Sequence, residues 1–115
     1  MKKYRIIAVD FDGTLCTDCY PKIGFPNLGL IELLKRMQGN GCRIILWTCR
    51  CGERLDEAVS WCKEYGLQFD EINENVQEIL QEYGSNSRKI YADVYIDDKA
   101  CFPWEGLEWT KEEEK

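Results

Sequence analysis

Two short stretches with no polar interruption, Ile6-Ile7-Ala8-Val9 and Ile44-Ile45-Leu46, constrain the fold more than any other feature of this chain. A strand with one face in water alternates apolar and polar side chains, whereas a strand covered on both faces stays apolar throughout. Tyr4–Asp10 and Cys42–Trp47 therefore read as buried strands. Between and after them the apolar residues fall at helical spacing. Leu28–Met37 carries Leu30, Ile31, Leu33, Leu34 and Met37 and ends in Gly-Asn-Gly; Glu53–Tyr65 carries Leu55, Ala58, Val59 and Cys62 and closes at Gly66. Leu67–Ile72 reads as a short third strand, Asn73–Tyr83 as a helix through Val76, Ile79 and Leu80, and a fourth strand lies within Ile90–Ile96. Residues 16–27, broken by Pro21, Gly24 and Pro26, read as loop.

Strands covered on both faces and alternating with helices predict an α/β fold, a Rossmann-like three-layer α/β/α arrangement around a mainly parallel sheet with right-handed crossovers. The 115 residues suffice for one such domain, spanning 1–115, and not for two. Sites in sheets of this kind lie beyond the carboxyl ends of the strands. Those ends carry a consistent chemistry here. The first strand delivers Asp10 and Asp12, the second Thr48, and the last Asp97 and Asp98. Packed carboxylates repel one another unless a cation sits among them, and an all-oxygen set completed by water suits Mg²⁺. A lone Asp-x-Asp is often only a turn device. Acidic pairs at two strand ends with a hydroxyl at a third point instead to a cation or phosphate site.

Composition removes several alternatives. The net charge of −6 argues against a broad basic surface for duplex nucleic acid. The chain contains no histidine, which excludes imidazole bases and His-ligated zinc. No apolar run reaches the length of a membrane span, and the N-terminus lacks a signal-peptide apolar core, so a cytoplasmic location is expected. Seven cysteines cannot all pair within one chain, which suits free thiols in a reducing compartment.

The stretch "DFDGTL" at Asp10–Leu15 resembles the first motif of the haloacid dehalogenase (HAD) superfamily of phosphotransferases. Thr48 after "IILW" resembles its second motif, and "YIDD" at Tyr95–Asp98 its fourth. The likeness runs from Tyr4 to about Lys99; it is nearest to a small capless hydrolase branch, with some similarity to deoxyribonucleotidases. It implies a Mg²⁺-dependent hydrolase of a small phosphorylated metabolite, a sugar phosphate or a nucleotide. Asp10 is then the nucleophile and Asp12 the acid and base. Phe11 points away between them, and Thr48 donates to a phosphoryl oxygen. Asp10, the Asp12 carbonyl and Asp97 hold the metal, helped by Asp98. Gly13 turns the chain out of the strand and Thr14 hydrogen-bonds locally. The phosphate-neutralising cation is Lys89, with Arg88 and Lys99 as alternatives. If residues 89–96 were all extended, Lys89 would lie about 25 Å from Asp97 at roughly 3.3 Å per residue, so the strand must start near Asp93. Arg50 either grips a substrate anion or forms a salt bridge.

The 31 residues between the first two strands include a helix and fall short of the ~50 of a folded domain, so no cap domain is expected. An open site accepts bulky substrates or is closed by a second protomer in a homo-oligomer. The loop holding Tyr20, Lys22 and Ile23 either overhangs it or packs. Cys16, Cys19, Cys49 and Cys51 form zinc ligands, a disulfide or plain thiols. Trp47, Trp61 and Phe69 read as core. A non-catalytic phosphate- or metal-binding module and a receiver-like signalling domain are the competing classes; a receiver would place its acceptor aspartate after a middle strand, and none follows "IILW".

Overall fold

The computed structural model describes residues 6–83 and 90–97, apart from the side chains of residues 78, 82 and 83. The fold is α/β. Its main sheet has four parallel strands: β1 (Ile6–Val9), β4 (Arg43–Leu46), β5 (Glu71–Ile72) and β6 (Val94–Ile96), in the order β5-β4-β1-β6. A second sheet is a hairpin of β2 (Cys16–Cys19) and β3 (Lys22–Pro26). The helices are α1 (Leu28–Gly39), α2 (Gly52–Glu64) and α3 (Gln77–Tyr83).

Successive strand residues point to opposite faces, and the two apolar runs use this to build two cores. Ile7, Val9, Ile44, Leu46 and Ile96 face one side and pack with Leu30, Ile31 and Leu34 of α1 and Ala58 and Cys62 of α2. Ile6, Ala8 and Ile45 face the other side and pack with Val76, Ile79, Ile90 and Ala92. The β1–β4 register, Ile7 on Ile44 and Val9 on Leu46, aligns the parities so that each face is continuous. The uninterrupted hydrophobicity of these strands thus has a direct cause: helices cover both sides.

Local chemistry ends the elements. The Asn27 side chain accepts from Leu30 N at the start of α1 and donates to the Thr14 carbonyl, fixing the helix to the turn after β1. At the end of α2, Gly66 lies at φ 88°; its N–H reaches the Lys63 carbonyl while Leu67 N–H reaches that of Cys62. This is a Schellman closure, and the left-handed residue favours glycine. It consumes Leu67, so the third strand expected over Leu67–Ile72 is only Glu71–Ile72. The helix expected from Asn73 begins at Gln77, because Asn73 itself lies at φ 57°. Residues 16–27 are not simple loop: the hairpin accounts for most of them.

The last strand starts at Val94, one residue past the start near Asp93 expected from the sequence. Ile90 and Ala92 lie buried against the sheet face instead of prolonging the strand, and Asp93 N donates to the Ile6 carbonyl. Between the strands the described chain forms the hairpin and three helices, with no cap domain. No described helix is long and apolar enough to cross a membrane.

Candidate active site

Immediately after β1 the chain makes a single tight turn. The Phe11 carbonyl accepts from Thr14 N at 3.1 Å and Leu15 N at 2.9 Å, and Gly13, at φ 81°, donates to the Cys16 carbonyl at 2.9 Å. Phe11 is fully buried, its ring edge-on to Trp61 with centroids 5.6 Å apart. A core residue therefore separates Asp10 from Asp12.

Asp10, Thr48 and Asp97, from the ends of three parallel strands, line one cleft of about 380 Å³ together with Trp47, Cys49 and Asn73. Val9 pairs with Ile96 in register, so Asp10 and Asp97 sit side by side, roughly 5 Å apart by the usual interstrand spacing. Asp10 N donates to the Ile96 carbonyl at 3.0 Å, and Asp10 Oδ1 accepts from Phe11 N at 2.7 Å. Thr48 Oγ1 accepts from Arg50 N at 3.1 Å, which leaves the hydroxyl proton for another acceptor. Asn73 anchors Thr48 from β5: its Oδ1 accepts from Thr48 N at 2.8 Å and its Nδ2 donates to the Thr48 carbonyl at 3.0 Å. Sequence reading overlooked Asn73; its tolerance for positive φ was the only available signal. Trp47, expected in the core, is 40% exposed in this cleft.

The Asp12 side chain is held by Arg50. Its Oδ2 accepts from Arg50 Nε at 2.9 Å and its Oδ1 from Nη2 at 2.8 Å, a bidentate pair with the arginine side chain 1% exposed. That bond holds the Arg50 proton more tightly than an ordinary guanidinium does, against the opposing effect of burial. Of the two roles the sequence leaves open for Arg50, a grip on a substrate anion and a salt bridge, the structure forms the salt bridge, with the side chain buried on Asp12 and on backbone carbonyls. The Tyr20 ring, 58% exposed, has its centroid 5.0 Å from the Arg50 guanidinium carbon. Thr14 hydrogen-bonds locally, as expected, through its main chain. Its fully buried hydroxyl has no hydrogen-bond partner among the described residues.

Lys89, Arg88, Lys99 and Asp98 lie outside the described residues. Among those described, no three Asp, Glu, Cys or His side chains stand together as a metal cluster. Two carboxylates in one cleft, completed by backbone carbonyl and water, nonetheless fit the modest protein donor set that Mg²⁺ takes. Asp12 could contribute only its carbonyl oxygen while its side chain stays on Arg50. The four-cysteine zinc site does not form: Cys16 is buried in the core, Cys19, Cys49 and Cys51 are exposed, and all are free thiols, as are Cys42 and Cys62.

No family model matches the chain, and no curated protein does. Among solved structures it is similar to a conserved protein from Bacteroides thetaiotaomicron, with 40% identity and a TM-score of 0.78 over 96% of this chain and 92% of that one.

Proposed function

The chain belongs to the family of that conserved Bacteroides thetaiotaomicron protein, and we propose that it is a Mg²⁺-dependent phosphomonoester hydrolase of the HAD type, acting on a small phosphorylated metabolite through an aspartyl-phosphate. One observation carries this reading: Asp10, Thr48 and Asp97 converge on one cleft from three separate strand ends. A hydroxyl with a proton to donate beside two carboxylates suits a phosphoryl group only if their charge is offset. Mg²⁺ held by Asp10, Asp97 and the Asp12 carbonyl would supply that neutralisation.

The residues then divide the work. An Asp10 oxygen attacks phosphorus as the ester P–O bond breaks, and the departing oxygen takes a proton from Asp12. Water next attacks the phosphorus, its proton passing to Asp12, and phosphate leaves with Asp10 restored. Thr48, anchored by Asn73, donates to a phosphoryl oxygen throughout. Fixed geometry and fixed charge supply most of the acceleration in such transfers.

The test is hydrolysis of p-nitrophenyl phosphate with and without Mg²⁺. The wild-type protein turns over only with the metal, and Asp10→Asn loses about a thousandfold or more in kcat while its far-ultraviolet circular dichroism is unchanged. Unaltered turnover in that variant would remove Asp10 as nucleophile. Phosphate binding without turnover, across sugar phosphates and nucleoside monophosphates, would favour the non-catalytic binding module instead.

A further inference from the structure

Arg50 is built into the protein to an unusual degree. A guanidinium has five N–H donors, and here each finds an acceptor. Nε and Nη2 hold the two Asp12 oxygens at 2.9 and 2.8 Å, Nη2 also reaches the Lys22 carbonyl at 3.1 Å, and Nη1 reaches the carbonyls of Pro21 and Arg54, both at 3.3 Å. The guanidinium carbon lies 4.9 Å from the Phe11 ring centroid and 5.0 Å from that of Tyr20. No donor remains for a substrate. A buried ion pair adds little net stability over a well-packed apolar replacement, so what distinguishes an arginine at this position is the geometry it fixes.

We propose that Arg50 is a positioning residue for proton transfer: it sets the orientation of the Asp12 carboxylate and ties that carboxylate to the turn between β2 and β3 through the carbonyls of Pro21 and Lys22. The inference rests on the reading of Asp10 as nucleophile and Asp12 as proton carrier. The resting Asp12 is a carboxylate whose two oxygens both accept from Arg50. Each keeps a second lone pair, and one of them takes up a proton from solvent before the first step, a proton that the water of the second step returns. The step it governs is the first one, in which the P–O bond electrons go to the leaving oxygen and the Asp12 proton follows them. A nitrophenolate leaves without that proton; an alkoxide does not. Disorder at Asp12 therefore slows alkyl esters selectively, whereas general damage to the cleft slows both classes alike.

The experiment compares kcat and KM for p-nitrophenyl phosphate and benzyl phosphate in the wild type, Arg50→Lys, Asp12→Asn and the double variant, all with Mg²⁺. A lysine ammonium cannot bridge both carboxylate oxygens and the two hairpin carbonyls at once. Arg50→Lys is expected to lower kcat for benzyl phosphate about a hundredfold, and for p-nitrophenyl phosphate less than about fivefold, with KM little changed. In the Asp12→Asn background the same substitution should cost less than about threefold on benzyl phosphate, since it acts through a group already disabled. Equal losses on both esters, or losses that multiply in the double variant, overturn the inference while leaving an Asp10-dependent hydrolase standing. A wild-type protein that hydrolyses neither ester overturns the hydrolase reading and this inference with it. Should Arg50→Lys not fold, Arg50→Met fills the same space without charge and carries the same comparison.

Discussion

A buried guanidinium paired with a partly exposed carboxylate responds unequally to the loss of either side. Taking away Asp12 leaves the Arg50 charge among Phe11, Tyr20 and backbone carbonyls with no counter-ion; taking away Arg50 leaves a carboxylate that is 21% exposed and within reach of water. Unpaired buried charge is the costly state. Asp12→Ala is therefore expected to lower unfolding free energy by about 2–4 kcal/mol, and Arg50→Met by clearly less, as read from urea midpoints at constant m-value. Equal midpoints in the two variants would mean that the pair is solvated after all. The motif from Asp10 to Leu15 made Asp12 conspicuous in the sequence, whereas its partner lies thirty-eight positions away, where the sequence offered a substrate-anion grip or a salt bridge but did not name Asp12 as the partner. Nothing in residue order announces a bidentate contact between the turn after one strand and the loop after another.

The hairpin is where sequence reading and structure part most. Pro21, Gly24 and Pro26 are strand breakers in most settings, and Cys-Thr-Asp-Cys carries no apolar alternation, so residues 16–27 offered no strand signal. The pairing is held by particular contacts instead: Thr17 Oγ1 accepts from Phe25 N at 2.8 Å, and Gly24 lies so close to Thr17 that a Cβ there would meet both its hydroxyl and its carbonyl oxygen. Gly24→Ala should consequently force the strands apart, costing about 1–3 kcal/mol and raising protease cleavage within residues 16–26. Intact hairpin resistance in that variant would show that the close approach is dispensable. Elements defined by long apolar runs were legible: the described β1, β4, α1 and α2 lie within two residues of where hydrophobic spacing puts them. Elements defined by a single dihedral were not. Asn73 in its left-handed conformation delays α3, and the Schellman turn at Gly66 and Leu67 shortens β5.

The molecule as a whole brings Asp10 and Asp97 into one cleft on a chain of net charge −6. Neighbouring carboxylates repel in the native state and are far apart in the unfolded one, so a divalent ion that bridges them stabilises only the fold. At tenfold its dissociation constant Mg²⁺ should add about 1.4 kcal/mol, or roughly 5 °C in Tm. Calorimetry of wild type and Asp97→Asn with Mg²⁺ and with matched ionic strength from NaCl checks this. An increment of the same size in both proteins would locate the ion elsewhere. The wall of that cleft also holds Cys49, an exposed free thiol. Cys62, by contrast, is pushed up to about 12 by burial and stays protonated and slow to alkylate. Cys49 thus works as a native reporter: any compound lodged against Thr48 shields it from iodoacetamide while Cys19 keeps reacting, and a peptide mass footprint registers occupancy for ligands that are never turned over.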